Sequence, residues 1–356
     1  MHILLVRLRL IGDVVFTTPA IRALRRHFPD ARLTYLVEEA AAPVVRGNPH
    51  LDDVIAIRRT HGLARVREDF RIGRMLRARR FDVVIDFHGG PRGSWLTWLT
   101  GAPRRIGYSV AGRSWMYTTA VARPRELRRR HSVENQWDLL AALGLPSPDR
   151  ARDPLEMVED AAARAGIDQR LAAAGLGKGE PIVVMHVSAG NPFRRWPVES
   201  FAAVAAGLVN RDPTRAVVLT SGPSERHAAL VAGELARGQL GRAGTRILQI
   251  GEVSLTELRA LVGRAALYIG GDSGPLHVAG TTATPVVGLF GPTLAERSMP
   301  WRDPRLPAEA VEPGALACRP CDQRHCVTGD FRCLTGISPA QVIDAAERLL
   351  ARAAVG

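Results

Sequence analysis

A short polar turn between two apolar runs contains the groups of this sequence that are best suited to bind an anion. The apolar run 266–269 ends at two glycines, and Asp272, Ser273 and Gly274 follow, before a short predicted helix with His277 on its first turn. A helix N-terminus offers free N–H groups and a positive dipole end, so an anionic group is the expected ligand. A plain helix cap made by Asp272 or Ser273 is the alternative. The flanking glycines and the histidine favour a binding site.

Two further loops after predicted strands carry groups suited to a diphosphate and a ribose. In the loop 186–197, Ser188 can donate to a phosphate, and Arg194 or Arg195 can neutralise a diphosphate in bidentate fashion. A surface clamp formed by Arg-Arg-Trp is an equal alternative. Glu225 follows another strand, where a carboxylate suits ribose hydroxyls, although capping of the next helix explains it as simply.

The opening segment supplies a carboxylate that could act as a base. Gly12 is expected to free the turn after the first strand, and Asp13 follows at the predicted start of a helix. Asp13 is either a general base that projects from this loop or an N-cap worth about 1 kcal/mol. The segment lacks a G-x-G-x-x-G pattern, which argues against a dinucleotide-binding fold.

Four cysteines stand close together before the last predicted helix, with the spacing C-x2-C-x4-C-x6-C. This spacing permits a structural zinc site. Disulfides are disfavoured in a reducing compartment, and four free thiols are the remaining alternative. The cysteines are Cys318, Cys321, Cys326 and Cys333.

The elements that must position these groups alternate between apolar strands and helices, which predicts βαβ units and parallel sheets. The segment 144–148, followed by Pro154, reads as a linker. It divides the chain into an N-terminal domain, 1–150, and a C-terminal domain, 151–356, with a cleft expected between them. Packing of the last helix, 339–353, back on the N-terminal domain is one option. The predicted strands are 3–6, 32–37, 54–57, 83–87, 104–108, 182–185, 216–219, 247–250, 266–269 and 286–290, and the main predicted helices are 14–27, 63–80, 131–143 and 339–353.

Composition and charge restrict the class of protein. The chain has 356 residues and is 46% hydrophobic, which fits two globular domains. No apolar run reaches the roughly 20 residues of a membrane span, and the N-terminus does not resemble a signal peptide, so a cytoplasmic protein is expected. The net charge of +13 predicts an acidic partner: a phosphorylated substrate, an anionic lipid surface or nucleic acid. Because aromatic residues are only 5% and do not alternate with basic ones, a stacking platform for nucleic acid is disfavoured.

Several motifs together resemble the family 9 glycosyltransferases, typified by the ADP-heptose:lipopolysaccharide heptosyltransferases. They are the opening ILLVRLRLIGDVVFTTPAIRALRRHFPDA, the loop RRWP and the segment GDSGPLHVAG; the tail CRPCDQRHCVTGDFRCLTGISP looks most like the heptosyltransferase II branch. The resemblance covers nearly the whole chain. It implies an α/β fold of the GT-B type, with two Rossmann-like domains whose parallel sheets face a central cleft. The acceptor would bind to the first domain and the ADP-sugar to the second.

The resemblance also implies an inverting single displacement that uses no cofactor and no catalytic metal. Asp13 matches the family's proposed base, and Arg194 stands where many members have lysine. Arg7 and Gly12 fall on the acceptor side, where Arg7 would face acceptor phosphates. The positions that match nucleotide-sugar contacts are Ser188, Arg194, Glu225, Asp272, Ser273, Gly274 and His277.

The partners implied by the resemblance are ADP-heptose as donor and a phosphorylated glycolipid of the lipid A–Kdo–heptose type as acceptor. They place the enzyme at an anionic membrane surface, on the inner face of the inner membrane, without nucleic acid. A GT-B transferase that uses another nucleotide-sugar is the main alternative, and a basic nucleic-acid-binding module is a distant one. The sequence leaves open the donor sugar, the acceptor, the linkage and the oligomeric state.

Overall fold

The computed structural model describes residues 1–123, 130–187 and 189–355. The chain divides into two units, of which the first is Met1–Val158 and the second begins at Glu159. The segment predicted as a linker belongs to the first unit. Just after it, on either side of Pro154, two carboxylates pair with arginines of the same unit: Asp153 lies 2.7 Å from Arg26 and Glu156 lies 2.9 Å from Arg22.

The first unit contains a six-stranded sheet in the order β3-β2-β1-β4-β5-β6, with every neighbouring pair parallel. Its strands are β1 (His2–Val6), β2 (Arg32–Glu38), β3 (Asp53–Ile57), β4 (Val83–Asp86), β5 (Arg104–Ser109) and β6 (Thr119–Ala122). Its α-helices are α1 (Ile11–Val15), α2 (Thr18–His27), α3 (Gly62–Ala78), α4 (Pro91–Leu99) and α5 (Ser132–Ala141).

The second unit repeats this topology. Its sheet has the order β12-β11-β10-β7-β8-β9, again with parallel pairs, so the sequence 3-2-1-4-5-6 recurs when its strands are numbered from β7. Its strands are β7 (Ile182–His186), β8 (Ala216–Thr220), β9 (Ile247–Leu248), β10 (Leu267–Gly271), β11 (Val286–Leu289) and β12 (Ala308–Val311). Its α-helices are α6 (Ala161–Ala173), α7 (Val198–Arg211), α8 (Arg226–Leu240), α9 (Leu255–Arg264), α10 (Gly274–Ala279), α11 (Ala295–Ser298), α12 (Arg332–Thr335) and α13 (Pro339–Val355).

The central strands are mostly apolar, as expected for parallel sheets whose two faces are both covered. All five residues of β7 and of β10 are buried. In this topology the strand order reverses between β1 and β4 and again between β7 and β10, and ligands bind outside the carboxyl ends of the strands at such a switch point. The loops that follow these four strands are therefore the places to look for a site.

The last helix, α13, packs within the second unit. Val342, Ala345 and Leu349 are fully buried in the same core cluster as residues of α7, and the Arg215 guanidinium lies 2.6 Å from the Glu347 carboxylate. The apolar face of α13 is thus used by the domain that contains it, and packing of this helix back on the N-terminal domain stays a prediction. Among the described residues, no helix is long and apolar enough to cross a membrane.

Candidate active site

The turn after β1 differs from the one predicted. Leu10 has a positive φ of 68°, and α1 begins directly after it. Gly12 is an ordinary helical residue, so the prediction that it frees the turn is wrong. The N-cap alternative for Asp13 is also wrong, because Leu10 holds the cap position and Asp13 lies inside the helix. A leucine with positive φ is strained, and such strain is frequent at functional sites.

Asp13 forms an ion pair with Arg7, the first residue after β1. The Arg7 guanidinium also donates to the carbonyl of Phe87 in the loop after β4, so it joins the two loops at the switch point. The Asp13 side chain is 32% exposed, while that of Arg7 is 13% exposed. Asp13 is therefore a fixed carboxylate that is open to solvent, and Arg7 is the group that fixes it.

The loop after β4 contains groups that were not predicted from the sequence. Asp86 is fully buried, and its carboxylate accepts hydrogen bonds from the N–H groups of His88 (2.8 Å) and Gly89 (3.0 Å) and from the Tyr117 hydroxyl (2.6 Å). Burial raises the pKa of Asp86 although these bonds oppose the shift. Burial, together with nearby Arg7, lowers the pKa of His88 to about 4, so the imidazole is neutral at pH 7.

A sequence signal for this loop exists in Asp-Phe-His-Gly-Gly, which follows an apolar strand. Gly89 has φ of 59°, which glycine adopts without strain. A Cβ on Gly90 would lie 2.7 Å from Nε2 of His88. The two glycines therefore permit a tight loop that holds the His88 imidazole beside the backbone.

In the second unit, the turn after β10 is organised around Asp272. This carboxylate is buried and accepts from the Thr293 hydroxyl at 2.6 Å, while Arg194 lies 3.0 Å from one oxygen and His277 lies 3.5 Å from the other. Burial alone would raise the pKa of Asp272, but His277, Arg194 and Thr293 outweigh it and the pKa is lowered. The structure thus brings Asp272, His277 and Arg194 together.

Ser273 holds the N-cap position of α10, which begins at Gly274, but its side chain does not cap the helix. Its hydroxyl donates instead to the carbonyl of Gly271 at 3.2 Å. The cap interpretation is therefore right about the position and wrong about the hydrogen bond. Since Pro275 has no N–H group, few backbone donors at this end are left for a ligand.

The two arginines of the loop after β7 each pair with a different carboxylate. Besides its contact with Asp272, Arg194 donates through Nε to the side-chain oxygen of Gln323 at 2.6 Å. Arg195 donates to the Glu225 carboxylate at 2.8 Å and to the carbonyl of Ala189 at 3.0 Å. Both guanidinium groups are partly exposed and anchored at one end, so the diphosphate interpretation and the surface-clamp alternative both stay predictions.

Glu225 is buried at the end of the loop after β8 and accepts from Ser224 at 2.6 Å as well as from Arg195. Glu225 holds the N-cap position of α8, but neither Ser224 nor Glu225 makes a side-chain capping bond, so the capping alternative is right about the position of Glu225 and wrong about the hydrogen bond. Ser188 lies outside the described residues. His186, which was not singled out from the sequence, is buried at the end of β7; it bonds Thr220 at 3.0 Å, and burial lowers its pKa to about 4.

The four cysteines are free thiols that line one cavity together with Phe193 and Phe331. The disulfide alternative is therefore wrong for this structure. In the described parts of the chain, no group of three or more His, Cys, Asp or Glu residues could hold a metal ion, so the zinc alternative has no geometric support. The other residues that line this cavity also belong to the second unit.

Comparison with known proteins agrees with this architecture. Over residues 70–330 the sequence matches glycosyltransferase family 9 (heptosyltransferase). The chain is 29% identical over 352 residues to lipopolysaccharide heptosyltransferase 3 from Escherichia coli, covering 98% of this chain and 99% of that protein. The solved structure of a family 9 glycosyltransferase from Veillonella parvula DSM 2008 has a TM-score of 0.81 at 25% identity, covering 99% of this chain and 97% of that one. For the E. coli ADP-heptose LPS heptosyltransferase II, the TM-score is 0.77 at 20% identity, with 99% of both chains covered.

The chain belongs to glycosyltransferase family 9 and is a glycosyltransferase of the GT-B fold class. The resemblance stated from the sequence motifs and the predicted pair of Rossmann-like domains are confirmed. The relatives include a heptosyltransferase 3 as well as a heptosyltransferase II, so membership of the second branch stays a prediction.

Proposed function

We propose that this protein transfers a heptose from ADP-heptose to a phosphorylated glycolipid of the lipopolysaccharide inner core. Membership of the heptosyltransferase family supports the transfer, and the names of the relatives supply the donor and the product class. One observation carries the chemistry: Asp13 is a solvent-accessible carboxylate held by Arg7 at the switch point of the first sheet.

In the proposed reaction, Asp13 takes the proton of an acceptor hydroxyl as the oxygen attacks the anomeric carbon of the heptose. The bond between that carbon and the diphosphate oxygen breaks, the configuration inverts, and ADP leaves with the bonding electrons. A general base of this kind must be ionised and within hydrogen-bond reach of the hydroxyl. Arg7 supports this role by fixing the carboxylate, and we keep a contact of Arg7 and Gly12 with the acceptor as part of the proposal.

The departing diphosphate needs compensation for its charge, which preorganised donors can supply. Arg194 is proposed to do so, because its guanidinium is anchored by Asp272 and Gln323 and is still 29% exposed at the side chain. Glu225 is proposed to bind the ribose hydroxyls. Ser188, Ser273, Gly274 and His277 complete the proposed donor site, which uses no cofactor.

The proposed setting is the inner face of the inner membrane, since the acceptor is a lipid. An excess of positive charge, +13 over the chain, suits a phosphorylated glycolipid in an anionic surface. Nucleic acid is not a proposed partner.

The test is to incubate the purified protein with ADP-heptose and truncated lipopolysaccharide acceptors, and to look by mass spectrometry for the addition of one heptosyl unit. The anomeric configuration of the product, read by NMR, reports whether the displacement inverts. Transfer from a UDP- or GDP-sugar with none from ADP-heptose would contradict the donor and favour the alternative transferase. Stabilisation by ADP, UDP and GDP in thermal unfolding separates the same cases by binding alone.

A further inference from the structure

Four aromatic rings form a continuous row on the surface of the N-terminal domain. The ring centroids of Phe70 and Trp95 are 6.0 Å apart, those of Trp95 and Trp98 are 5.1 Å apart and stacked, and those of Trp98 and Trp115 are 5.6 Å apart. The row joins α3, α4 and a short 3-10 helix, Ser114–Met116. It contains three of the six tryptophans in a chain with only 5% aromatic residues, so their grouping at one place calls for an explanation.

Three of the four rings are exposed, and Trp95 is partly buried between them. Phe70 is 50% exposed, Trp98 37% and Trp115 59%. Exposed apolar residues that stand singly are normal, whereas a contiguous patch marks an interaction site. The row is therefore suited to bind an apolar partner.

Helix α3 extends the patch along its length. Leu63, Val66 and Phe70 follow one another at spacings of three and four, which places them on one stripe of the helix, and all three are at least half exposed. The buried side of the same helix is formed by other residues, including Ile72 and Leu76, which pack against the sheet. The helix thus has an apolar stripe facing the core and a second one that the domain leaves uncovered.

Positive charge borders this second stripe. Arg67, Arg71 and Arg74 are exposed at spacings of four and three along α3. Arg71 pairs with Glu68, but Arg67 and Arg74 form no ion pair with any of the residues that the structure describes. Guanidinium groups bind phosphate oxygens in bidentate fashion, and aromatic rings prefer the depth of the lipid headgroups.

We propose that this aromatic–arginine face, formed by Phe70, Trp95, Trp98, Trp115, Arg67 and Arg74, docks the protein on an anionic phospholipid membrane. The rings would enter the headgroup layer and the arginines would contact lipid phosphates, as in helices that lie in the plane of a membrane interface. The inference rests on the proposed function, because a glycolipid acceptor requires the enzyme to work at such a surface. Charge complementarity favours a phospholipid surface as the partner of this face, because arginines that form no ion pair with the described residues, placed around apolar rings, match lipid phosphates above hydrocarbon chains.

The experiment measures sedimentation of the full chain with vesicles that contain no glycolipid acceptor. Vesicles of phosphatidylcholine alone are compared with vesicles that also contain phosphatidylglycerol, at low and at high salt. The protein is expected to sediment with the anionic vesicles at low salt and to dissociate from them at high salt. The double variant Phe70→Ala/Trp115→Ala is expected to lose at least about tenfold in vesicle affinity for each ring removed. Arg67→Glu/Arg74→Glu is expected to lose about fivefold or more for each arginine.

The matched control is Leu230→Ala/Leu235→Ala on α8 of the second unit, whose side chains are also exposed, at 43% and 40%. It removes two exposed apolar side chains outside the face and is expected to bind vesicles as the unchanged protein does. Circular dichroism and thermal unfolding verify that every variant is folded. Equal vesicle binding by the face variants and the control overturns the proposal, as does failure of the unchanged protein to bind anionic vesicles. Loss of self-association in analytical ultracentrifugation with vesicle binding intact assigns the face to a second copy of the chain and also overturns it.

Because these vesicles hold no acceptor, the result is independent of the proposed reaction. Selective vesicle binding without any sugar transfer supports membrane docking by the aromatic–arginine face and refutes the proposed heptosyl transfer. In a second arm, the face variants should transfer sugar to a water-soluble acceptor fragment at the normal rate and lose rate only with acceptor embedded in vesicles. Unimpaired transfer to the embedded acceptor by the face variants counts against the proposal.

Discussion

Substitution of Asp13 separates its proposed chemical role from any structural one. Asp13→Ala and Asp13→Asn both remove the carboxylate that would accept the hydroxyl proton. Loss of a general base costs about 10²–10⁴-fold in rate, or about 2.7–5.5 kcal/mol in the activation barrier. The affinity for ADP-sugar should be nearly unchanged, because the groups proposed to bind it all belong to the second unit.

The effect of these substitutions on stability should be small. The Asp13 side chain is 32% exposed, so water screens its ion pair with Arg7, and an exposed pair of this kind contributes about 1 kcal/mol or less. Arg7 also keeps its hydrogen bond to the carbonyl of Phe87, so it is not left without an acceptor. The predicted loss of activity is thus several times larger, in free energy, than the predicted loss of stability.

The assay follows ADP release in the presence of acceptor, with titration calorimetry for ADP-sugar affinity and urea unfolding for stability. Asp30→Asn is the matched control, since Asp30 is an exposed aspartate of the same unit that lies in the turn before β2. It should behave as the unchanged protein in all three measurements. Turnover by Asp13→Asn at the unchanged rate would refute the assignment of the base.

Three further predictions concern other described contacts. Arg194→Ala should weaken ADP-sugar binding about tenfold or more in titration calorimetry, and Arg194→Lys should recover part of it, because lysine keeps the charge but not the fork of donors. Arg92→Met should lower the free energy of unfolding by about 3–5 kcal/mol in urea, since Asp69 and Glu38 would stay buried without their shared cation. His186 has a pKa lowered to about 4 from 6.5, so the unfolded chain binds a proton there between these values and the native one does not. Its contribution to stability is therefore complete above pH 6.5 and falls by up to about 1.4 kcal/mol per pH unit down to pH 4, and a His186→Gln variant should lack this part of the pH dependence in urea unfolding.

Much of the fold could be predicted because parallel strands that are buried on both faces read as unbroken apolar runs. The strand β7 is an example, since the run 182–185 marks it almost completely. The edge strand β12 was missed: it pairs only with β11, and its sequence Ala-Glu-Ala-Val is half-exposed at most positions. An edge strand is less buried than a central one, so fewer of its side chains must be apolar and its hydrophobic pattern is weak in the sequence.

The surroundings of Asp13 could not be read from the sequence in the same way. One helix was predicted over 14–27, but the structure has α1 and α2, with Pro19 in the first turn of α2. Proline is well accepted there, so Pro19 was an available signal for a new helix start. Nothing comparable marks Leu10, because leucine rarely adopts positive φ and only tertiary packing can impose it. The contact of Arg194 with Gln323 is likewise invisible, since 129 positions separate the two residues.

In each domain a buried aspartate lies at the carboxyl end of the fourth strand, which is β4 in the first domain and β10 in the second. The surroundings of the two carboxylates differ. Asp86 is the last residue of β4 and is held by two backbone N–H groups and a tyrosine hydroxyl, and burial raises its pKa. Asp272 follows β10, and the adjacent Arg194 and His277 help to lower its pKa in spite of burial. Asp86 fixes backbone N–H groups of a loop, whereas Asp272 is bordered by an arginine and a histidine.

This difference matches the two halves of the glycosyl transfer that we propose. A departing diphosphate requires positive groups, and Asp272 is the anchor that holds the Arg194 guanidinium in place. An attacking hydroxyl requires a carboxylate in a rigid frame, and Asp86 supplies the frame by fixing the loop whose Phe87 carbonyl holds Arg7. If this reasoning is correct, Asp272→Asn should mainly weaken donor binding, whereas Tyr117→Phe, which removes one bond to Asp86, should lower the rate of transfer at saturating donor. The reverse pattern, with donor affinity sensitive to Tyr117 and insensitive to Asp272, would contradict the assignment of roles to the two domains.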